Sequence, residues 1–254
     1  MNSTLPIILV SLLLFGILEN VFPFYTYKQS LQSRVGANLS VAILNTLLTK
    51  FPMIWFAAWV ASPAQQKIWP GLFHSIPFPG VVAVLSILIL DSYRYGWHCM
   101  MHFWPIGWRF HRVHHSDLEM NITTAYRFNA IEVMASYVPL VLLIWLFGIK
   151  PEYVLMYEAL FVADQVFQHS NWALSPKIDR ILSYLIVTPN YHRVHHSQIV
   201  KETDSNFGSL LTIWDRMFGT YRYCRDTRKI NMGLEEYPKP LTVMDMLTLP
   251  FRAK

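Results

Sequence analysis

Nine of the chain's ten histidines fall in four short stretches. "WHCMMH" holds His98 and His102, "HRVHHS" holds His111, His114 and His115, "QHSN" holds His169, and a second "HRVHHS" holds His192, His195 and His196. His98 and His102 stand four residues apart, so on a helix they share a face. In HxxHH the first histidine meets the second at i, i+3 and the third at i, i+4, so a helical segment is expected to bring all three together. Imidazole nitrogens gathered on a rigid scaffold are what a transition metal needs. Imidazoles without a metal gain little from converging and repel one another once protonated. A surface patch or a cationic anchor therefore explains the clusters poorly. His74, alone beside an apolar segment, reads as a hydrogen-bonded interfacial residue.

Nine nitrogen donors exceed the four of a structural zinc site and suit two metals with open coordination positions. Imidazole suits iron, and a membrane supplies a store of inert C–H bonds for such a centre to act on. The Glu-x-x-His pattern of soluble carboxylate-rich di-iron bundles is absent. Zinc is compatible with the donors as a metal bound on purification, but zinc hydrolysis leaves the surplus of histidines unexplained.

The elements that must carry these residues are apolar. Hydrophobic residues make up 53% of 254 and charged residues 15%, where soluble domains carry about 25% charge. Lysine and arginine number 21 against 16 acidic residues without a dense basic tract, which argues against nucleic acid. Three apolar runs, "LPIILVSLLLFGILENVFPFY", "LSVAILNTLLTKFPMIWFAAWVAS" and "FPGVVAVLSILILDSYRYGWH", approach or exceed the roughly 20 residues that span hydrocarbon. A fourth, "IEVMASYVPLVLLIWLFGIK", stops at Pro151 and is followed by an amphipathic return ending at His169. The first run lacks a basic flank and a cleavage site, so it reads as a retained helix. Lys28 and Arg34 follow it and residues 1–3 carry no side-chain charge, which places the amino terminus outside and every histidine motif on the cytoplasmic face.

The expected fold is all-α: an integral membrane bundle of about four transmembrane helices or hairpin segments with a cytosolic histidine-rich helical cap. It forms a single membrane domain over 1–254. Residues 1–78 supply the N-terminal transmembrane helices, 79–225 the di-metal region, and 226–254 a cytosolic tail. Cys99 and Cys224 make no disulfide framework. The nine tryptophans read as interfacial belt and core, and Met100, Met101, Phe103 and Trp104 read as core ahead of substrate lining.

The order HxxxH, HxxHH, QHSN, HxxHH, followed by "DSNFGSLLTIWDRMFGTY", resembles the fatty acid hydroxylase/sterol desaturase superfamily of membrane di-iron oxygenases over roughly residues 80–225. The resemblance implies two iron ions held by His98, His102, His111, His114, His115, His169, His192, His195 and His196, with no catalytic residue beyond the metal centre. It implies that Asp91, Asn171, Asp204 and Asn206 orient imidazoles by hydrogen bonding, with helix and turn capping as the alternative role. Many members carry histidine and proline in an "RxHPxE" segment where this chain has "RFNAIE". Asn129 is there either an oxygen or water-mediated ligand or a helix-start residue.

The implied reaction is dioxygen-dependent hydroxylation of an unactivated lipid C–H bond. Desaturation, ether-lipid cleavage and aldehyde-forming chemistry share the same kind of centre. With no G-x-G-x-x-G or CxxCH motif present, electrons are expected from a separate donor protein. From another class, a non-catalytic membrane metal-binding protein is the alternative. A metal transporter needs more midplane polarity than Lys50 and Glu19 provide.

Overall fold

A computed structural model describes residues 4–30, 32–60, 62, 67–224 and 226–252; residues 1–3, which entered the orientation argument, lie outside it. Prolines and caps set the boundaries of its helices. The first two are α1 (Thr4–Val21) and α2 (Ala37–Val60). Next come α3 (Pro79–Phe103) and α4 (Pro105–His115), each with proline in its first turn, where no amide hydrogen bond is lost. Pro105 thus ends one histidine-bearing helix and starts the next. Asn129 caps α5 (Ala130–Phe147) by accepting from the Ile131 amide, and Gly148 closes it in the left-handed conformation. Proline again opens α6 (Pro151–His169), α7 (Pro176–Leu182) and α8 (Pro189–His195). Among the described residues there is no strand, only isolated bridges.

The long helices run alternately toward and away from one end. At that end Glu19 of α1 accepts from the Ile122 and Asn171 amides. Asn38, at the start of α2, donates to Asp117. The same end holds the last turn of α3, the first turn of α5 and the last turn of α6, since Glu132 and His169 join the histidines there. Helix α1 packs on α6, α2 on α5, and α3 on both α4 and α6. Leu90, Leu140 and Tyr157 form the core between α3, α5 and α6.

A second, smaller core lies under α4, where Val41 and Val113 meet Met246 and Leu249. Residues 226–252, expected as a tail, therefore pack against the helices: Val243–Thr248 lies on α2, and Leu249–Phe251 on α4.

Outward faces are apolar, with Leu9 and Leu13 on α1, Ile43 and Leu47 on α2, and Val138 and Leu142 on α5 all exposed. Two helical stretches, Gln32–Phe56 and Ala130–Phe147, are long and apolar enough to cross a membrane, and Leu5–Val21 is a shorter apolar helix. Helices α3 and α6, expected as a third span and a return, carry Asp91, Arg94, Glu158 and Asp164, which lowers their hydropathy.

At the opposite end, the α5–α6 turn meets the segment before α3 glycine to glycine. Gly71 (φ 90°) and Gly148 (φ 66°) lie in the left-handed region, and a Cβ on Gly71 would overlap the Gly148 backbone. We expect Gly71→Ala to destabilise the fold by more than the roughly 1–2 kcal/mol of the left-handed backbone alone. Thermal unfolding in detergent checks this, and an unchanged midpoint would mean that the turn opens freely.

Candidate metal centre

Four elements deliver the histidines. The last turn of α3 carries His98 and His102, α4 carries His111, His114 and His115, α6 ends on His169, and α8 carries His192 and His195 with His196 as its cap. The side chains sort into two groups: His98, His102, His111, His115 and His195 in one, and His114, His169, His192 and His196 in the other. Within each group the donor atoms lie within 4.8 Å of one another. The groups adjoin, since the rings of His115 and His196 stack at 4.5 Å.

The three histidines of an HxxHH motif do not converge on one point, contrary to the expectation from spacing. His111 and His115 enter the first group and His114 the second, whereas His192 and His196 enter the second and His195 the first. Helix geometry explains the split. Residues at i and i+4 differ by about 40° around the axis, while adjacent residues differ by about 100°. Each motif therefore supplies an i, i+4 pair to one cage and a single ring to the other.

The hydrogen bonds fix which nitrogen faces inward. Nδ1 of His98 donates to the Phe207 carbonyl at 2.9 Å, and that of His195 to the Ser205 carbonyl at 2.8 Å. His169 donates to the Gln165 carbonyl at 2.7 Å. His111 donates to Glu132 at 2.7 Å and His102 to Asp204 at 3.3 Å. Carbonyl and carboxylate oxygens only accept, so these rings carry hydrogen on Nδ1 and turn the Nε2 lone pair inward.

In the first group every Nε2 is buried without a protein partner. In the second the four Nε2 atoms form a chain with spacings of 3.0–3.1 Å. Nδ1 of His114, His192 and His196 has no protein partner, and His114 stacks on Phe128 at 4.4 Å. Orphaned buried nitrogens each cost about 1–3 kcal/mol unless something binds them. An all-imidazole donor set with inward lone pairs suits a first-row divalent metal in each cage, so these residues fit the implied irons. Burial first, and neighbouring imidazoles second, hold His114, His115, His192, His195 and His196 well below the ordinary histidine pKa, in the neutral form that binds metal.

Of the four residues expected to orient imidazoles, Asp204 alone hydrogen-bonds one. Asp91 accepts instead from Tyr157 Oη, the Leu211 amide and Trp214 Nε1, tying α3 to α6 and to the segment after α8. Asn171 pairs with the Tyr25 backbone. Asn206 sits at φ 56° and bridges Tyr191 and Arg222, which sets the carbonyls of its neighbours Ser205 and Phe207 against His195 and His98. Asn129 uses its oxygen to cap α5. The residue that holds His111 is Glu132, three positions after Asn129 in "RFNAIE"; its i+3 place after a cap was the available signal. Asp215 was also overlooked, although it accepts from Tyr191, Thr220 and the amides of Phe207 and Gly208. Met101 is core as expected, while Met100, Phe103 and Trp104 point outward. His74 is exposed in the turn Leu72–Ser75. Cys99 and Cys224 are unpaired.

A cavity of about 300 Å³ reaches both cages, lined by His98 and His111 of the first and His114 and His192 of the second. A larger cavity of about 800 Å³ lies at the opposite end, beside Trp69, His74 and Lys150.

Residues 83–220 match the fatty acid hydroxylase family, and the chain belongs to it. Its relatives include the alkylglycerol monooxygenase of Danio rerio, 31% identical over 74% of this chain and 41% of that protein. The ornithine lipid hydroxylase of Rhizobium tropici is 29% identical over 81% of this chain and 63% of its own length. The cholesterol 25-hydroxylase of Rattus norvegicus is 24% identical over 78% and 64%. The chain spans less than half the length of the alkylglycerol monooxygenases it matches from Danio rerio, Homo sapiens and Xenopus tropicalis. No solved structure matches it.

Glu132→Ala frees the His111 ring and is expected to weaken metal binding by about 10–100-fold. Asn129→Ala is expected to cost about 0.5–2 kcal/mol of stability through the lost cap and leave metal affinity unchanged. Chelator competition separates the two, and equal affinity losses would mean that Asn129 is itself a ligand. Acid provides a second check. The folded chain holds the imidazoles of His114, His115, His192, His195 and His196 below the ordinary histidine pKa, whereas unfolded histidines titrate near about 6.5, so the unfolded state binds more protons below that pH. Stability of the metal-free protein should therefore hold above about pH 6.5 and fall as pH drops below it. A denaturation midpoint that stays flat down to about pH 5 would contradict this account.

Proposed function

We propose that this chain is an integral membrane di-iron oxygenase that uses dioxygen, and electrons from a separate donor protein, to hydroxylate an unactivated C–H bond of a lipid. The observation that carries this reading is the pair of adjoining all-histidine cages opening onto one cavity. Two irons, one held by His98, His102, His111, His115 and His195 and the other by His114, His169, His192 and His196, would supply reductive activation of dioxygen and attack on the C–H bond. The chain's own part is positioning. Glu132, Asp204 and the carbonyls of Gln165, Ser205 and Phe207 hold the rings in one tautomer. Burial keeps bulk water from the rings, and the cavity aligns a lipid segment against them.

We further propose that α1, α2, α3 and the α5–α6 pair cross or enter the bilayer, with the histidine end on the cytoplasmic face. The alternating direction of these helices supports the arrangement. So does the anchoring of the Lys28 and Gln29 amides to Glu119, which brings the basic first loop to the histidine end. The same packing supports a single-domain organisation, with 79–225 as the di-metal region. Ether-lipid oxidation is the second reading, favoured by the names of the alkylglycerol monooxygenase relatives.

Iron content and Mössbauer spectra of the detergent-purified, iron-reconstituted chain test the centre. We expect close to two coupled irons per chain, with the coupling lost in His195→Ala. Zinc alone, undisturbed by that substitution, would return the histidines to a non-catalytic metal-binding role.

A further inference from the structure

The cavity of about 800 Å³ lies at the end away from the histidines, and the metal centre makes no use of it. Its size is that of sites that enclose a small ligand. Four pieces of chain wall it: residues 69–76, the start of α3, the last turns of α5, and the turn into α6. Contacts between them hold it open without filling it. Gly71 and Gly148 meet backbone to backbone, Trp69 Nε1 donates to the Leu146 carbonyl at 2.8 Å, and Tyr153 Oη donates to the Pro79 carbonyl at 3.3 Å.

The wall changes character with depth. Val82 of α3 and Val141 and Ile144 of α5 make an apolar interior. Between Phe147 and Val141 α5 descends about 9 Å, so the interior has room for a length of acyl chain. At the mouth, Lys150 and His74 are exposed, and the Trp69 and Trp145 rings lie 6.3 Å apart. Indoles in this position mark the level where headgroups begin. Trp145 Nε1 is buried with no protein acceptor, a donor left unmet. No described residue of the wall is acidic, and Lys150 pairs with no carboxylate among the described residues. Glu152, two positions on, lines a separate groove with Ile7 and Met156. Helix α6 starts at Pro151, so the positive end of its dipole reinforces Lys150.

An apolar interior under a cationic mouth calls for an amphiphile with an anionic head. A zwitterionic headgroup would bring an ammonium beside Lys150 and find no carboxylate to receive it. A phosphate with no cation attached meets no such penalty and offers several oxygens, enough for Lys150 and an indole N–H together. We infer that this cavity binds an anionic phospholipid, with its phosphate at Lys150 and one acyl chain entering between α3 and α5. The site is independent of the chemistry of the histidines, and its occupant ties the segment before α3 to the α5–α6 turn.

Equilibrium binding of two radiolabelled lipids to the full chain in detergent tests this: dioleoyl phosphatidylglycerol, which carries a net negative charge, and dioleoyl phosphatidylcholine, which carries none. We expect saturable binding of about one phosphatidylglycerol per chain, preferred over phosphatidylcholine by about fivefold or more, as one lysine at a headgroup provides. The same lipid should raise the thermal midpoint, since a ligand that binds only the folded chain stabilises it. Lys150→Gln, at an exposed position, should remove both the preference and the thermal shift. Ile144→Trp fills the interior without changing the charge and should abolish the saturable binding. Lys177→Gln/Arg180→Gln, which removes exposed positive charge from α7, should leave the preference intact. Equal binding of the two lipids, a preference that survives Lys150→Gln, or one lost with Lys177 and Arg180 overturns the inference. So does displacement of phosphatidylglycerol by an equimolar amount of palmitate, which would assign the site to a free carboxylate lipid.

Discussion

Five imidazoles, those of His98, His102, His111, His169 and His195, turn Nε2 inward because their Nδ1–H groups are held, and the surrounding structure answers to that requirement. An imidazole presents Nε2 reliably only when Nδ1–H has somewhere to go. Three of the acceptors are main-chain carbonyls, at Gln165, Ser205 and Phe207. The last two belong to an irregular segment, and such a segment needs its own support. Asn206 supplies it from a left-handed backbone, and Asp215 gathers the Phe207 and Gly208 amides with Tyr191 and Thr220. A loop that looks incidental is therefore part of the apparatus that aims the rings.

The repeated HRVHH peptide also contains its own anchor. Its arginine projects away from the cage, because a residue one step on from a ligand is turned about 100° around the helix. Arg112 donates to the carbonyls of Leu249 and Arg252, and Arg193 to those of Ser170 and Trp172. Arg193 also lies 3.9 Å over the Phe24 ring. Both guanidiniums are buried, a costly placement that these oxygens and the aromatic face offset. The histidines bind inward and the arginines hold outward, so each short helix is fixed from both sides.

Much of this was legible in the residues. Donor type and spacing singled out the nine histidines that the fold gathers, and Pro151 marked one helix boundary, while Pro79, Pro105 and Pro189 open further helices. The division of the histidines between cages was less visible, because HxxHH suggests one focus until the 100° step between adjacent residues is followed through. The partners of the rings were harder still. Carbonyl acceptors leave no mark on a sequence, since every residue has one. The family resemblance assigns Asp91 and Asn171 to the imidazoles, but helix direction turns Asp91 to Tyr157 and Trp214, and Asn171 is taken up by Tyr25. The packing of residues 226–252 under α4 was hidden because a short polar-rich segment carries little periodic signal, and its few apolar anchors, Leu241, Met246 and Leu249, are spread out.

The spread of the ligands along the chain also bears on how the protein is made. His98 and His195 share a cage although roughly 100 residues separate them, and closing so large a loop carries an entropic cost that nothing local repays. The rings meet where α3, α4, α6 and α8 dock on one another. A complete pair of histidine cages is thus a signature of correct assembly: a chain in which any one of those elements is misplaced cannot gather both full sets of rings.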